Sequence, residues 1–300
     1  MFTPFAFIID PSFYNPTSRI IPTTSSLFLG GPIYSYQSPP ARGIVKIQSN
    51  GLIDSTFVTT ASFTTTTSGL NGNALKASTQ PDGKIIVTYN GTTYTGYNSA
   101  RLVRINQNGS PDSSFNVGGG FVNNSAFAVK CQSDLKTIFG GNFNAYSGSS
   151  SPNIIRVNSS GSRDTTFNAG TGPNSTVYDV DVQSDGKVIA VGDFTTYSGS
   201  SNNSIVRINT DGTKDTTFNL GTGITPTNYI GAFYGNTFGS FDNSGSFYLG
   251  GGIFFSYSGS IVGKVVKITP SGSIDLSFQT SGSGFNGFDS GVATILSYNI

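Results

Sequence analysis

The stretch "TVYDVDVQSDGKVIAVGDFTTYSGSSNNSIVRINTDGTKDTTFN", residues 176 to 219, holds one complete unit of a pattern that recurs along the chain. Val177 to Gln183 alternates apolar and polar residues, as a strand with one buried face does. The pair Asp185-Gly186 then marks a tight hairpin, because Gly tolerates positive φ. Lys187 to Val191 is an almost unbroken apolar run, too short for a helix, and reads as a central strand buried on both faces. Ile205 to Asn209 supplies a third strand. The turn "TDG" follows, and Asp215 is expected to take backbone N–H donors that shape the entry to a fourth strand, with Phe218 anchoring that strand against its neighbour.

The closing phrase "DGTKDTTFN" from Asp211 has close copies. They are "NGLIDSTFV" from Asn50, "NGSPDSSFN" from Asn108, "SGSRDTTFN" from Ser160 and "SGSIDLSFQ" from Ser271. Asp54, Asp112, Asp164, Asp215 and Asp275 therefore follow one another at spacings of 58, 52, 51 and 60 residues. No stretch shows a capped helical period, and Gly, Ser, Thr and Asn punctuate the whole chain. A four-stranded sheet cannot bury both faces alone, so units of this length must stack. The fold class expected is an all-β β-propeller of four-stranded blades in a single domain over 1–300. The repeats run approximately 10–54, 54–112, 112–164, 164–215 and 215–275.

The ends bear on the blade number. "FAFIIDPSF", from Phe5 to Phe13, carries Asp10 and Phe13 in the D-x-x-F spacing and resembles an isolated outer strand, while "GVATILSYNI", from Gly291 to Ile300, resembles a first strand. Five blades closed by strands within 1–13 and 285–300 are expected. The alternative is a sixth, composite blade built from the two ends.

The pattern "QSDGKVIAVGDF…SIVRINTDGTKDTTFN" resembles the delta-60 repeat, a β-propeller repeat of bacterial and phage proteins. The resemblance is strongest in repeats two to four and spans nearly the whole chain. Repeat one departs from it with "PTTSSLFLGG", and repeat five with "DNSGSFYLGG", where repeats two and four have the hairpin Asp-Gly. It implies architecture and brings no catalytic motif.

Charged residues make up 10% of the chain and the net charge is +1, against about 25% charged residues in typical domains. Capture of nucleic acid or an anionic membrane by charge is not expected. Lys46, Arg104, Arg156, Arg207 and Lys267 occupy one position of strand three in all five repeats. They read as cations paired with each repeat's own Asp rather than as an anion site. The chain has no histidine, which excludes Ser-His-Asp catalysis and His-ligated metal sites. Cys131, the single cysteine, aligns with Thr79 and Val182 and reads as a small buried filler. "GSGFNG" at 282–287 matches a dinucleotide fingerprint by accident, since no helix follows. Asp179, Asp181 and Asp185 match no calcium loop, and the other repeats do not repeat the trio. No cofactor, metal or catalytic residue is expected.

"MFTPFAFIID" reads as part of the fold rather than a signal peptide, and no stretch reads as a membrane span. With a surface rich in Gly, Ser, Thr, Asn and Tyr, the expected role is that of a non-enzymatic phage virion protein in the capsid decoration, neck, tail or adsorption fibre. Such a protein is made in the host cytoplasm and carried outside by assembly. Its partners are then other virion proteins or a cell-surface receptor or glycan. A secreted bacterial surface propeller is the alternative, and a glycan-active enzyme on a propeller scaffold the third reading. Repeats two and five are lengthened between the D-x-x-F phrase and the next first strand, at 58–72 and 224–240. The second insertion carries Tyr229, Phe233, Tyr234 and Phe238, the candidate partner-binding residues, and the competing reading is that some of these rings continue a lengthened strand.

Overall fold

A computed structural model describes residues 19–22, 27–30, 44–48, 54–57, 70, 74–94, 97–122, 125–219, 221–226, 237–238, 241–242, 244–258 and 260–278. The chain divides into two compact units, Met1–Gly120 and Phe121–Ile300. The expected closing strands at 1–13 and 285–300 and the "GSGFNG" stretch lie outside the described residues, as does most of 58–72.

Unit one contains two antiparallel three-stranded sheets. Arg19–Pro22, Leu27–Gly30 and Ile44–Ile47 form the first; Ala74–Thr79, Ile85–Tyr89 and Leu102–Ile105 form the second. Unit two repeats the order twice, with Ala126–Cys131, Thr137–Gly141 and Ile154–Val157, then Val177–Val182, Val188–Gly192 and Ile205–Ile208. In repeat five Phe247–Tyr257 pairs with Ser260–Ile268 and also with Ile224–Pro226 and Thr237–Phe238. Five sheets of common order are thus present among the described residues. Every residue of Ile85–Tyr89, Thr137–Gly141 and Val188–Gly192 is buried, as a middle strand covered on both faces requires.

In repeats two, three and four the hairpin after the first strand has its Asp where the sequence suggests, Asp82, Asp134 and Asp185. Asp185 Oδ1 accepts from Lys187 N at 3.0 Å while Gly186 sits at φ 82°. A bulge recurs one turn earlier, where the register shifts between Val177 and Asp179 and likewise at Ala74/Lys76 and Ala126/Ala128. It brings the first strand against the Gly that ends the second: a Cβ on Gly192 would lie 2.0 Å from Thr176 O.

Among the described residues the expected fourth strand is not formed. After strand three, pairing shrinks to the single bridges Ile105↔Pro111, Val157↔Arg163, Ile208↔Lys214 and Ile268↔Ile274, so no further strand adds to strand three there. The D-x-x-F residues themselves prevent further pairing. Asp215 N makes the last ladder bond, to Arg207 O at 2.9 Å, and Thr217 N then turns back onto Asp215 Oδ1 at 2.9 Å. A side chain that satisfies the backbone locally competes with the sheet, and here it wins.

The "YSG" phrase at 197–199 lies in a second small hairpin. Thr196–Tyr197 pairs with Ser200–Ser201 and Ala145–Tyr146 with Ser149–Ser150. Its tip has Ser198 at φ 46° and Gly199 at φ 78°, the two positive values that a tight hairpin turn demands. The tyrosine also pairs with the segment arriving from the preceding repeat, as in Leu70↔Tyr94, Phe121↔Tyr146, Pro173↔Tyr197 and Ile224↔Tyr257.

Candidate functional site

The phrase that sets the repeat builds a charged clasp. In repeat four Asp215 Oδ2 accepts from Arg207 Nε at 2.8 Å and Lys187 Nζ at 2.9 Å, while Oδ1 accepts from Thr217 N and Thr217 Oγ1 at 2.9 and 2.6 Å. The Arg207 guanidinium lies 4.5 Å from the centre of the Phe218 ring, and Nη2 donates to Thr217 Oγ1 at 3.3 Å. Repeat three is the same, with Arg156 and Lys136 on Asp164 at 2.7 and 3.0 Å. Repeat two uses Arg104 and Lys84 on Asp112 at 2.8 and 2.7 Å. Lys46–Asp54 and Lys267–Asp275 complete the set at 2.8 and 3.2 Å. The five strand-three cations are thus each paired with their own aspartate, and the alternative of an open anion ring is overturned by that pairing.

Burial opposes ionisation of Asp112, Asp164 and Asp215. Hydrogen bonds from the lysine and from the Ser or Thr two residues on, with the arginine's charge, outweigh it and hold all three carboxyls below the usual carboxylate range. Asp54 follows the same balance and comes down to about 2. Where strand three carries Arg, strand two begins after a Lys; where it carries Lys46 or Lys267, the matching residue is Ser26 or Ser246. In repeat five Lys267 is instead shared with Asp242 at 3.0 Å.

The clasp also joins consecutive repeats of unit two. Arg156 Nη1 donates to Thr210 O at 2.7 Å and Arg207 Nη1 to Pro270 O at 2.6 Å, each in the turn of the following repeat. Beside them Asn168 N donates to Asp211 O at 2.7 Å and Asn219 N to Ser271 O at 2.8 Å. Phe167 accordingly packs with Ile138 and Ile154 of its own repeat and with Val188, Val206 and Ile208 of the next. The turn glycine is squeezed by this approach: Gly212 has φ 91°, and a Cβ there would lie 2.6 Å from the Asn168 backbone. Gly212→Ala is therefore expected to cost about 2 to 3 kcal/mol, strain plus a backbone clash. Gly199→Ala, at φ 78° with nothing within 4 Å of the added carbon, should cost about 1 kcal/mol. Equal losses in urea melts would refute the role given to the close approach.

A tyrosine lock was not legible as such in the sequence. The hydroxyls of Tyr94, Tyr146, Tyr197 and Tyr257 donate to the carbonyls of Gly109, Gly161, Gly212 and Gly272 at 2.6 to 2.7 Å, always fifteen residues on. The constant spacing is the signal that finds it, and Tyr36 stands in the same relation to Gly51.

The remaining candidates separate. Asp181 pairs with Lys130 at 2.5 Å, and burial pushes its carboxyl up, although the lysine counters this. Asp179 is buried on the same strand, and Asp185 serves its hairpin. Among the described residues no group of three His, Cys, Asp or Glu is arranged to hold a metal ion. Cys131 is half-buried rather than fully buried, because it ends its strand opposite Thr137, whose Oγ1 lies 3.6 Å from Sγ. Of the candidate partner residues, Tyr229, Phe233 and Tyr234 lie outside the described residues. Phe238 sits in Thr237–Phe238, whose backbone pairs it with Leu249.

The described sheets are antiparallel and carry a recurrent clasp, an all-β repeat architecture. Residues 80–115, 132–167, 183–218 and 248–278 match a family described as a domain of unknown function (DUF5122) beta-propeller. No curated protein matches the chain. One similar solved structure is the extracellular domain of a protein from B. thetaiotaomicron assigned as a one-component system, at 14% identity and TM-score 0.42, covering 84% of this chain and 28% of that one. Another is PorZ, a surface component of the type-IX secretion system of Porphyromonas gingivalis, at 10% identity and TM-score 0.42, covering 86% and 32%. The chain thus spans less than a third of either.

Proposed function

We propose that this chain is a non-enzymatic binding and structural propeller of the delta-60 kind, exposed outside the cell, and that its setting is a phage virion. Support comes from what the repeats do with their charge. In each of the five, the strand-three cation and the clasp aspartate are engaged with one another, so repetition builds a scaffold and leaves recognition to residues that differ between repeats. The sparse charge and hydroxyl- and amide-rich composition suit a surface that works in contact with other assemblies.

The insertion of repeat five remains the candidate contact, carried by Tyr229, Phe233 and Tyr234. Replacing Phe233 and Tyr234 by Ser should leave the melting temperature near that of the parent and abolish particle incorporation or adsorption to host cells. Phe238→Ser serves as the contrast, expected to lower stability because it removes a strand residue. Particles that assemble and adsorb normally with the double variant would end the proposal. Recovery from culture supernatant free of particles would move the setting to a bacterial surface.

A further inference from the structure

The first strands of repeats three and four, Ala126–Cys131 and Val177–Val182, pack against each other within unit two. Across that contact Lys130 Nζ lies 2.5 Å from Asp181 Oδ1. Asp181 Oδ1 also accepts from Val182 N at 2.7 Å, and the residue is 6% exposed. Asp179, two residues earlier and therefore on the same face of the strand, is buried as well. One ammonium and two buried carboxyl groups are thereby gathered between two repeats.

The repeat itself does not need them. Counted back from the hairpin Asp, Ser78 stands where Lys130 and Asp181 do, and Lys76 and Ala128 stand where Asp179 does. Repeat two nevertheless forms the same three-stranded sheet with the same bulge and hairpin. The trio also differs from the clasp, where Asp215 has two cations and the Thr217 donors to itself. Here one lysine serves a pair of neighbouring acids. Burial favours the neutral form of Asp181 and the charge of Asp179 adds to that, against the pull of Lys130. Ionisable residues that depart from their own repeat and are costly to keep charged are candidates for chemistry.

The chemistry open to an amine held on a carboxyl group is condensation. Two packed strands fix both reactants, which turns an otherwise bimolecular step into an intramolecular one. We propose that Lys130 and Asp181 join in an isopeptide bond that the chain forms on its own residues, with Asp179 as the proton carrier. A proton passes from the Lys130 ammonium to the Asp181 carboxyl, and the freed Nζ lone pair adds to Cγ. Asp179 takes a second proton from Nζ and returns it to the departing oxygen as the C–O bond breaks. Two of the three ammonium hydrogens leave with one carboxyl oxygen as water, and the third stays on the amide nitrogen. No oxidant or cofactor enters. The 41% exposure of the Lys130 side chain gives the released water a way out. The product is a covalent tie between repeats three and four, which restricts the unfolded chain as other cross-links do. It is independent of the surface role proposed above.

Intact mass spectrometry of the purified full chain, denatured after incubation at neutral pH, tests the bond. The chain should be one water lighter than its sequence, and a digest should contain a branched peptide joining Lys130 to Asp181. Mapping is needed because Asp185-Gly186 and Asp211-Gly212 can also lose water as succinimides, which mild base opens while leaving an isopeptide intact. Lys130→Arg keeps the ion pair without the nucleophilic amine. This variant should fold, carry its full mass and unfold at lower urea concentration than the cross-linked parent. Asp179→Asn should fold and form the bond about a hundredfold more slowly. If either variant fails to fold by circular dichroism, Lys130→Ser or Asp179→Ala takes its place, each installing a residue that a sibling repeat carries at that position. A parent chain that stays at full mass after prolonged incubation, or a base-stable water loss that persists in the Lys130 variant, overturns the bond. Cross-linking at the parental rate in the Asp179 variant overturns the role given to that carboxylate.

Discussion

Asp215→Asn is expected to lower the stability of unit two by about 3 to 5 kcal/mol, the loss that follows when one partner of a buried ion pair is removed and the other stays buried. Asn keeps the size and can still accept from Thr217. It cannot neutralise Arg207 and Lys187, which both converge on Oδ2 within 2.9 Å. Asp275→Asn is the control, since its carboxylate is more exposed and Lys267 keeps Asp242 as a second partner; a much smaller loss is expected there. The same clasps set the acid limit. Asp112, Asp164 and Asp215 are held below the ordinary range in the folded chain, whereas unfolded aspartate titrates near about 3.9. A depressed folded pKa gives stability that is complete above the unfolded value and lost as pH falls towards the folded one. Stability should therefore be level from about pH 7 to 5, fall below about pH 4 and keep falling past about pH 2. Asp215→Asn should shallow that fall. Denaturant titrations across this range check both statements, and a flat profile down to about pH 3 would refute the clasp's role.

Much of this was legible because the repeat compares the sequence with itself. Five copies of D-x-x-F at matched distance from an Arg or Lys gave the ion pair, and the apolar run before Gly192 gave the buried middle strand. The fourth strand was misread because Thr217 and Phe218 carry strand-like residue types, while the deciding fact is that Asp215 captures the Thr217 N–H. Period and propensity do not register a side chain that outcompetes a ladder bond. The tyrosine lock escaped for a different reason. Its two ends, such as Tyr197 and Gly212, lie in separate turns, and only constancy of spacing across repeats joins them. The aromatic insertion was visible as composition, yet whether a ring such as Phe238 serves a strand or a partner depends on pairing with Leu249 that no local pattern encodes.

Phe218→Ala and Phe167→Ala should each cost about 3 to 5 kcal/mol, the range of buried Phe truncations. Phe218 is 4% exposed and packs in one cluster with Ile205 of its own repeat and Phe247, Val266 and Ile268 of the next. Losing the ring removes its transfer free energy and leaves a cavity between two sheets that cannot close, because Asn219 N remains bonded to Ser271 O and Arg207 Nη1 to Pro270 O. The guanidinium 4.5 Å from the ring centre also loses the face it rests on, an additional term of about 1 kcal/mol. Phe278, the counterpart in repeat five, is half-buried, with Tyr248 at 5.2 Å as its ring neighbour, and Phe278→Ala should cost about 1 kcal/mol. The ordering discriminates between two accounts of the phrase. If the phenylalanine merely finishes its own turn, all three substitutions cost the same. If it is the piece that one repeat inserts into the next, the loss at 167 and 218 exceeds that at 278 by at least about 2 kcal/mol, and urea unfolding of the three variants decides between them.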